Sequence, residues 1–488
     1  MLKEIYAAID SSTDVFVAGL QRLLRQPSVT TDGDDCRVCA ELVCEMIREA
    51  GFEARVLESS HNPVVCGWSE QRDDRKTLLI TGHYDVVPPG PEDAWSSPPY
   101  EAAVRDGDIV ARGACDPKGN FLAALNAAAV WHQQDQLPVN VKFLIEGDDE
   151  TPGGVTPGAV GLTYNEERFL VPFVDAHRDL LQADGVLLVD GGFTRDGFSP
   201  IHLGTAGSLA LKLSVKTGSC EPYFIWTQII PDAAYRIVWA LSTLKDTAER
   251  VTVEGFYDDV RAPDSIGDKL MQQMPWEDKA ELDFWGARQF VTGASGIDAV
   301  RRLLYEPTCS IHGLAPGMER PNSDSLIPAE AHAWINFHLV PDQRPDDILE
   351  KVRRHLDKSG FEDVKIEVFR KLVPISATPG SLQLGEALLR AAHEADVPAY
   401  LLRETFELGW KWCGLGKQLG IGGAMIGIGN PDRRAHFPNE HITIDYFIRG
   451  TKWVAASLWE YGHLGSSQSR KSGSTSGELE GQPSKNLA

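Results

Sequence analysis

The sequence lacks the features that mark membrane, secreted and nucleic-acid-binding proteins. No apolar run approaches the roughly 20 residues that a membrane-spanning helix requires. Basic residues are in the minority, with 47 Lys and Arg against 70 Asp and Glu, and the net charge of −23 argues against a surface for nucleic acid or anionic membrane. The first residues form no apolar segment of the signal-peptide type, so we expect a cytoplasmic protein.

The cysteines lack the arrangement of a disulfide framework or of a zinc finger. Eight cysteines are scattered over 488 residues, which predicts free thiols in a reducing compartment. Cys36 and Cys39 have the spacing of a zinc-binding pair, but no second pair follows, so we interpret them as residues of a packed helix. The chain is 42% hydrophobic and 24% charged, which is typical of a globular protein, and its length predicts two or three domains.

Short apolar runs that alternate with helical patterns predict a doubly wound α/β domain. Residues 78–80, 139–145 and 185–189 have the pattern of buried strands, and residues 121–132 have that of a helix. Acidic residues or histidine follow several of these strands. Because open α/β sheets bind ligands at the carboxyl ends of their strands, we expect the functional site there.

A second pattern, in the middle of the chain, predicts an α+β domain with a half-exposed antiparallel sheet. Its strands alternate apolar and polar side chains, and its helices are amphipathic. The predicted strands are 208–215, 329–340 and 364–369, and the predicted helices are 233–244 and 345–358. An exposed edge or apolar face of such a sheet favours pairing of two copies of the chain.

The α/β pattern resumes after this segment, so the second domain is inserted into the first. We predict a discontinuous first domain of residues 1–206 and 375–464 and an inserted domain of residues 207–374. Residues 465–488 are rich in Ser and Gly and have almost no large apolar side chains, which predicts a disordered tail.

One pair of polar residues stands at the end of the first buried strand. His83 and Asp85 follow the apolar run and are two positions apart, so in an extended segment their side chains share a face. A carboxylate that accepts one imidazole N–H leaves the other ring nitrogen available for a metal. The pair alone is weak evidence, because a surface hydrogen bond is the commoner outcome.

Four further residues that can bind a metal lie after apolar strands or beside Gly and Pro turns: Asp116, Glu150, Asp190 and His436. With His83 they make two imidazoles and three carboxylates, a set that suits zinc and, less specifically, cobalt or manganese. One metal needs only three or four ligands. Five ligands, one of them a carboxylate that can bridge, predict a site for two metals.

Six segments together resemble the M20 family of metallopeptidases, the carnosinase-like and aminoacylase-like dipeptidases and deacylases. They are GHYDVVP, DGDIVARGACDPKGN, FLIEGDDETPGG, VLLVDGG, AHFPNEHI and, in the inserted domain, SLIPAEAHAWINFHLVPDQRPDDI. The resemblance runs from about residue 10 to about residue 462, with the motifs in the family's order. It implies a catalytic α/β domain, an inserted lid domain that forms a homodimer, and a pair of divalent metals, with zinc expected and cobalt or manganese as alternatives.

The resemblance also implies a role for each candidate residue. His83 and Asp190 would bind one metal, Glu150 and His436 would bind the second, and Asp116 would bridge them. Asp85 would orient His83, and Asp149 stands at the position of the general base. The family has a cis peptide after the bridging aspartate, where this chain has Pro117, the residue type for which a cis bond is least costly.

Two departures from the family concern the catalytic groups. The base is normally glutamate, whereas Asp149 is one methylene shorter. The family's lid also carries a histidine that enters the partner subunit's active site and stabilises the oxyanion. The corresponding segment here, residues 220–224, contains no histidine, and Pro222 lies near its position.

A third departure concerns substrate binding. Arg403 matches the start of the loop that binds the substrate carboxylate, and we expect it to remain a substrate anchor. The small residues that follow it in the family are bulky or acidic here, and Glu404 or Glu407 would favour a cationic group. On the lid, His338 stands where the family has an arginine.

These observations predict a zinc-dependent hydrolase that cleaves an amide or peptide-like bond in a specialised small-molecule substrate through a metal-bridged water. Two alternatives stay open. One is a non-hydrolytic enzyme on the same scaffold, such as a lyase, a decarboxylase or a condensing, ligase-like enzyme, because a fold does not determine its chemistry. The other is a non-catalytic homologue, against which the intact ligand set argues.

Overall fold

The computed structural model describes residues 1–150, 170–315, 325–406 and 411–464. The predicted tail, residues 465–488, lies outside these ranges. The strands, in chain order, are β1 (Glu53–Leu57), β2 (Val64–Trp68), β3 (Thr77–His83), β4 (Ala103–Arg105), β5 (Asp108–Val110), β6 (Asn140–Glu146), β7 (Gly185–Val189), β8 (Ser199–His202), β9 (Gly207–Lys216), β10 (Thr308–Ala315), β11 (Glu330–Leu339), β12 (Lys365–Leu372), β13 (Ala399–Leu402), β14 (Gly422–Ile426) and β15 (His441–Thr443). The α-helices are α1 (Leu2–Ser11), α2 (Thr13–Leu24), α3 (Gly33–Glu49), α4 (Lys118–Gln133), α5 (Leu170–Ala176), α6 (Arg178–Leu181), α7 (Ala233–Ser242), α8 (Ser265–Gln273), α9 (Asp278–Trp285), α10 (Ile297–Tyr305), α11 (Pro345–Lys358), α12 (Pro379–Glu394), α13 (Lys411–Leu419) and α14 (Ile444–Gly462).

An eight-stranded sheet in the order β1-β2-β6-β3-β7-β14-β8-β13 forms the centre of the first domain. Strand β3 runs parallel to both β6 and β7, and β7 runs parallel to β14. Alternate residues of β3 pack on opposite faces of the sheet, because Leu78 and Ile80 belong to the core formed with α4, α12 and α14, whereas Leu79 packs with α5 and α13. Helices cover both faces of this sheet, and for that reason the central strands are continuous apolar runs in the sequence.

The inserted domain contains a four-stranded antiparallel sheet in the order β10-β11-β9-β12. Strands β9 and β11 alternate buried and half-buried residues, as their sequence pattern predicted. Helices α7 and α11 contact this sheet and complete a separate apolar core. The predicted fold class, a doubly wound α/β domain with an inserted α+β domain, is confirmed.

The structure adds elements that the sequence pattern did not predict. Helix α8 packs against β13, the edge strand of the eight-stranded sheet, and α10 packs against α8. Met271, Leu304 and Tyr305 of these helices share one apolar cluster with Tyr400 and Leu402 of β13. The inserted segment therefore covers the edge of the eight-stranded sheet. The exact domain boundaries stay a prediction; residue 206/207 falls between β8 and β9, and 374/375 between β12 and α12.

None of the described helices combines the length and the apolar character that crossing a bilayer requires.

Candidate metal centre

The candidate centre begins at the carboxyl end of β3. His83 is the last residue of this strand and is 1% exposed, and its Nδ1 lies 3.1 Å from Oδ1 of the fully buried Asp85. Asp85 also accepts hydrogen bonds from the backbone N–H of Asp149 at 3.3 Å and of Glu150 at 2.8 Å. One carboxylate thus fixes the orientation of the His83 ring and the position of the turn that follows β6.

The carboxylate of Asp116 lies between the two candidate imidazoles. Its Oδ1 is 3.5 Å from Nε2 of His83, and its Oδ2 is 3.1 Å from Nε2 of His436. The Asp116–Pro117 peptide is cis, as the resemblance implied. Strand β15 pairs with β5, which brings the loop of His436 beside the loop of Asp116 across more than 300 residues of sequence.

The other candidate ligands complete two groups around these imidazoles. Nε2 of His436 lies 2.8 Å from Oε1 of Glu150, and Nε2 of His83 lies 3.7 Å from Oδ2 of Asp190, which directly follows β7. The carboxylate of Asp149 also faces His83, with Oδ2 at 3.6 Å from Nε2. These distances set His436 with Glu150 and His83 with Asp190, and the assignment of the two groups to two metals that share Asp116 stays a prediction.

The geometry fits divalent ions. Nε2 of His83 is buried and has no hydrogen-bond partner among the described residues, yet carboxylate oxygens of Asp116, Asp149 and Asp190 lie 3.5–3.7 Å away. Two ligands of one tetrahedral zinc, each about 2.0–2.2 Å from the ion, are about 3.3–3.6 Å apart. Ligand atoms of His83, Asp116 and Glu150 all lie within 4.8 Å of one another. Nitrogen and oxygen donors at these separations suit zinc, cobalt or manganese.

Protons compete with a cation at the second group of ligands. Hydrogen bonds to Asp116 and Glu150 raise the pKa of His436 to about 10, and burial raises the pKa of Glu150 to about 7. Because a metal ligand must be deprotonated, the affinity of this group for a metal increases with pH.

Several residues that hold the centre were not identified from the sequence. Asn120 donates to the backbone oxygens of Cys115 at 2.6 Å and Gly191 at 2.9 Å, and it accepts from the N–H of Ile428. It therefore ties the turns of Asp116 and Asp190 to the end of β14. Asn120 lies inside the DGDIVARGACDPKGN motif, which was the available signal.

A second contact holds the turn that carries Asp149. The carboxylate of Asp148 is 4% exposed, accepts from the backbone N–H and side-chain amide of Asn62 at 3.1–3.3 Å, and lies beside the imidazole of His61. The turn is therefore fixed by Asp85 on one side and by the loop of residues 59–62 on the other.

The predicted substrate residues Arg403 and Glu404 make ion pairs with the inserted domain. The guanidinium of Arg403 donates to Asp264 at 2.5 Å, and Arg261 lies 3.3 Å from the carboxylate of Glu404. Glu404 is 3% exposed, and burial raises its pKa to about 7. Within the described residues, no hydrogen bond or ion pair joins Arg403 or Glu404 to the metal ligands.

The remaining predictions concern the lid and the loop after β13. His338 lies half-buried in β11, where burial lowers the pKa of its imidazole, and no described hydrogen bond links it to the metal ligands. Glu407 lies outside the described residues. The segment that lacks the lid histidine leads into a short 3₁₀ turn, Phe224–Gln228, whose apolar side chains Phe224, Ile225 and Trp226 are exposed.

Comparison with known proteins places this architecture in a family. The model of peptidase family M20/M25/M40 matches residues 79–460. The Beta-Ala-His dipeptidase of Mus musculus is 24% identical over 396 residues, covering 79% of this chain and 77% of its own. The cysteinylglycine-S-conjugate dipeptidase of Corynebacterium striatum is 30% identical over 344 residues, covering 70% of this chain and 71% of its own.

A solved structure of the same family also aligns with this chain. The M20 family metallo-carboxypeptidase Sso-CP2 from Sulfolobus solfataricus aligns with a TM-score of 0.79 at 26% identity, covering 92% of this chain and 99% of its own. The matches confirm the resemblance stated from the motifs and the prediction of a metal-dependent, dipeptidase-like hydrolase. The chain therefore belongs to peptidase family M20/M25/M40.

Proposed function

We propose that this protein hydrolyses the amide bond of a small, dipeptide-like substrate with two divalent metal ions, zinc in the first instance. The observation that carries the proposal is the position of Asp116, whose two oxygens face the imidazoles of His83 and His436. A bound metal pair would polarise the substrate carbonyl and lower the pKa of water to near neutrality.

Residues of the chain itself would transfer the proton and position the reacting groups. Asp149 would accept the proton of the attacking water, because its carboxylate faces the space enclosed by the ligands of the first metal. Asp85 would hold both His83 and the backbone of Asp149 in place. The ring orientation of the first ligand and the position of the base thus depend on the same carboxylate.

We further propose that the substrate is specialised. The support is the pairing of Arg403 with Asp264 and of Glu404 with Arg261, which commits both charges to contacts with the inserted domain. A substrate carboxylate would have to displace Asp264 to reach Arg403. The exposed apolar side chains at 224–226, which directly follow the segment where the family has its lid histidine, favour an apolar group on the substrate.

No described feature favours a lyase-like, ligase-like or non-catalytic role. All eight cysteines are free thiols, seven of them buried, which supports our proposal of a cytoplasmic, reducing location.

The proposed function predicts metal-dependent release of primary amines. Zinc-loaded protein would be incubated with β-alanyl-histidine, cysteinylglycine, cysteinylglycine S-conjugates, other dipeptides and N-acyl amino acids, and the released amine quantified. We expect hydrolysis of at least one class, loss of activity after chelation, and recovery on adding zinc. If the protein binds two ions per chain and releases no amine from any class, the hydrolytic proposal is wrong.

We also propose that two copies pair through the inserted domain. Strand β10 lies at the edge of its sheet and exposes Ile311 and Leu314, while α7 exposes Tyr235 and Trp239. Exposed edges and apolar faces of this kind favour association.

Light scattering after size exclusion tests the pairing. We expect wild-type protein at twice the chain mass of 53.6 kDa, and a monomer for Trp239→Glu. Trp285→Glu is the matched control, because Trp285 is 72% exposed on α9. A monomeric wild type at micromolar concentration would contradict the pairing.

A further inference from the structure

A buried ion pair joins two of the loops that carry the proposed metal ligands. Arg112 and Glu440 are 1% and 0% exposed, and Nη1 of Arg112 lies 2.6 Å from Oε2 of Glu440. Burial of two charges is weak evidence for stabilisation, since the cost of removing them from water can exceed their attraction. The position of the pair beside the metal centre points to a role in that centre.

Glu440 holds the backbone that carries Asp116. Its Oε1 accepts hydrogen bonds from the N–H of Cys115 at 3.0 Å and of Asp116 at 2.9 Å. Hydrogen bonds from two consecutive amides to one carboxylate are charge-assisted and fix the orientation of the peptide between them. The direction in which the Asp116 side chain leaves the backbone is thereby fixed as well.

Arg112 holds the backbone of His436. Its Nη2 donates to the carbonyl oxygen of His436 at 3.2 Å and to that of Pro88 at 3.4 Å. His436 has a φ of 66°, a left-handed conformation that is uncommon for a residue with a side chain. A guanidinium anchored on the His436 carbonyl stabilises this conformation, and the same guanidinium lies over the ring of Trp95, 5.3 Å from its centroid.

We propose that Arg112 and Glu440 form a clamp that sets the position of the Asp116 carboxylate relative to the His436 imidazole, and with it the affinity for the second metal. The inference rests on the proposed function, because it uses the same ligand assignment. The clamp predicts that loss of the ion pair weakens binding of the second metal more than binding of the first. The first-metal ligands His83 and Asp190 are oriented by different groups, Asp85 and the N–H of Gly191.

Stepwise binding of Co²⁺ tests the clamp without relying on activity. The double variant Arg112→Met with Glu440→Gln removes both charges, so no unpaired charge is left buried. Calorimetry and cobalt absorption spectra would follow both ions. We expect the second affinity to fall about 10–100-fold, the range typical for loss of groups that orient metal ligands. The first affinity should fall less, because Asp116 is shared but His83 and Asp190 keep their own orienting groups.

Arg390 and Glu460 provide a matched control. They form an ion pair at 2.8 Å between α12 and α14, outside the metal loops. The double variant Arg390→Met with Glu460→Gln should bind both cobalt ions like the wild type. If the clamp variant does not fold, Arg112→Lys replaces it, because an ammonium keeps the charge but cannot contact Glu440 and the His436 carbonyl with the planar fork of a guanidinium.

The outcomes separate the clamp from the proposed function. Wild-type affinity for the second ion in a folded clamp variant, or equal weakening of both ions, overturns the clamp. A wild type that binds two cobalt ions but hydrolyses nothing overturns the proposed function and leaves the clamp standing. A wild type that binds fewer than two ions overturns the ligand assignment and the clamp with it.

Discussion

Replacing Asp116 with asparagine should lower kcat/KM by about 10³-fold or more, because on the proposed assignment both metals would lose their shared carboxylate, and each would supply several kcal/mol of transition-state stabilisation. Asparagine has one neutral carbonyl oxygen and one amide nitrogen. It therefore cannot offer an anionic oxygen to the metal proposed beside His83 or to the one proposed beside His436. Zinc analysis of the purified variant should find fewer than two ions per chain. Kinetics on the best substrate from the amine-release panel would measure the loss.

The control for this variant is Asp432→Asn. Asp432 lies on the loop before His436, and its side chain is 82% exposed, so removing its charge should leave zinc content and kinetics unchanged. An Asp116→Asn protein that keeps two zinc ions and wild-type turnover would remove Asp116 from the metal centre.

The second large effect is expected at Asp149. Asp149→Asn should lower kcat by about 10²–10⁴-fold, the usual contribution of a positioned general base, while both metals stay bound. Zinc content measured on the same preparation separates loss of the base from loss of the metals. Unchanged kcat with both metals present would show that another group takes the proton.

The conservative variant Asp149→Glu tests whether the short side chain limits the reaction. Glutamate restores the family's usual residue, and displacements of about 1 Å in a catalytic group change rates by about 10²-fold. We expect faster hydrolysis of simple dipeptides by Asp149→Glu than by the wild type. Lack of any gain would attribute the restriction to the lid segment or to the loop after β13 instead.

The position of the candidate centre could be predicted from the sequence because its residues follow a rule of sheet geometry. His83 ends β3 and Asp190 directly follows β7, and these two strands are parallel neighbours. Because the carboxyl ends of parallel strands lie at one edge of a sheet, the topology brings the two side chains together. His436 does not follow from that rule. It was selected because it lies beside a proline turn and because of the family resemblance, and the structure explains its place through the pairing of β15 with β5.

Other features could not be predicted because they depend on partners far apart in the chain. Arg112 and Glu440 are 328 positions apart, and charged residues in isolation indicate an exposed surface, so neither suggests a buried pair. The pairing of Arg403 with Asp264 depends likewise on helix α8, whose short amphipathic sequence does not determine which strand it covers. The roles assigned to Arg403, Glu404, Glu407 and His338 stay predictions.

The apolar cluster that α8 and α10 form with β13 limits how freely this enzyme can be recombined with its relatives. The lid looks like an insertion in sequence, yet residues 265–305 supply the apolar surface that covers Tyr400 and Leu402. A chimera that exchanged residues 207–374 alone would leave this strand edge facing a foreign surface. Strand β13 and helices α8 and α10 therefore have to be exchanged together. Among relatives, we expect substitutions in the strand to be accompanied by compensating substitutions in the helices.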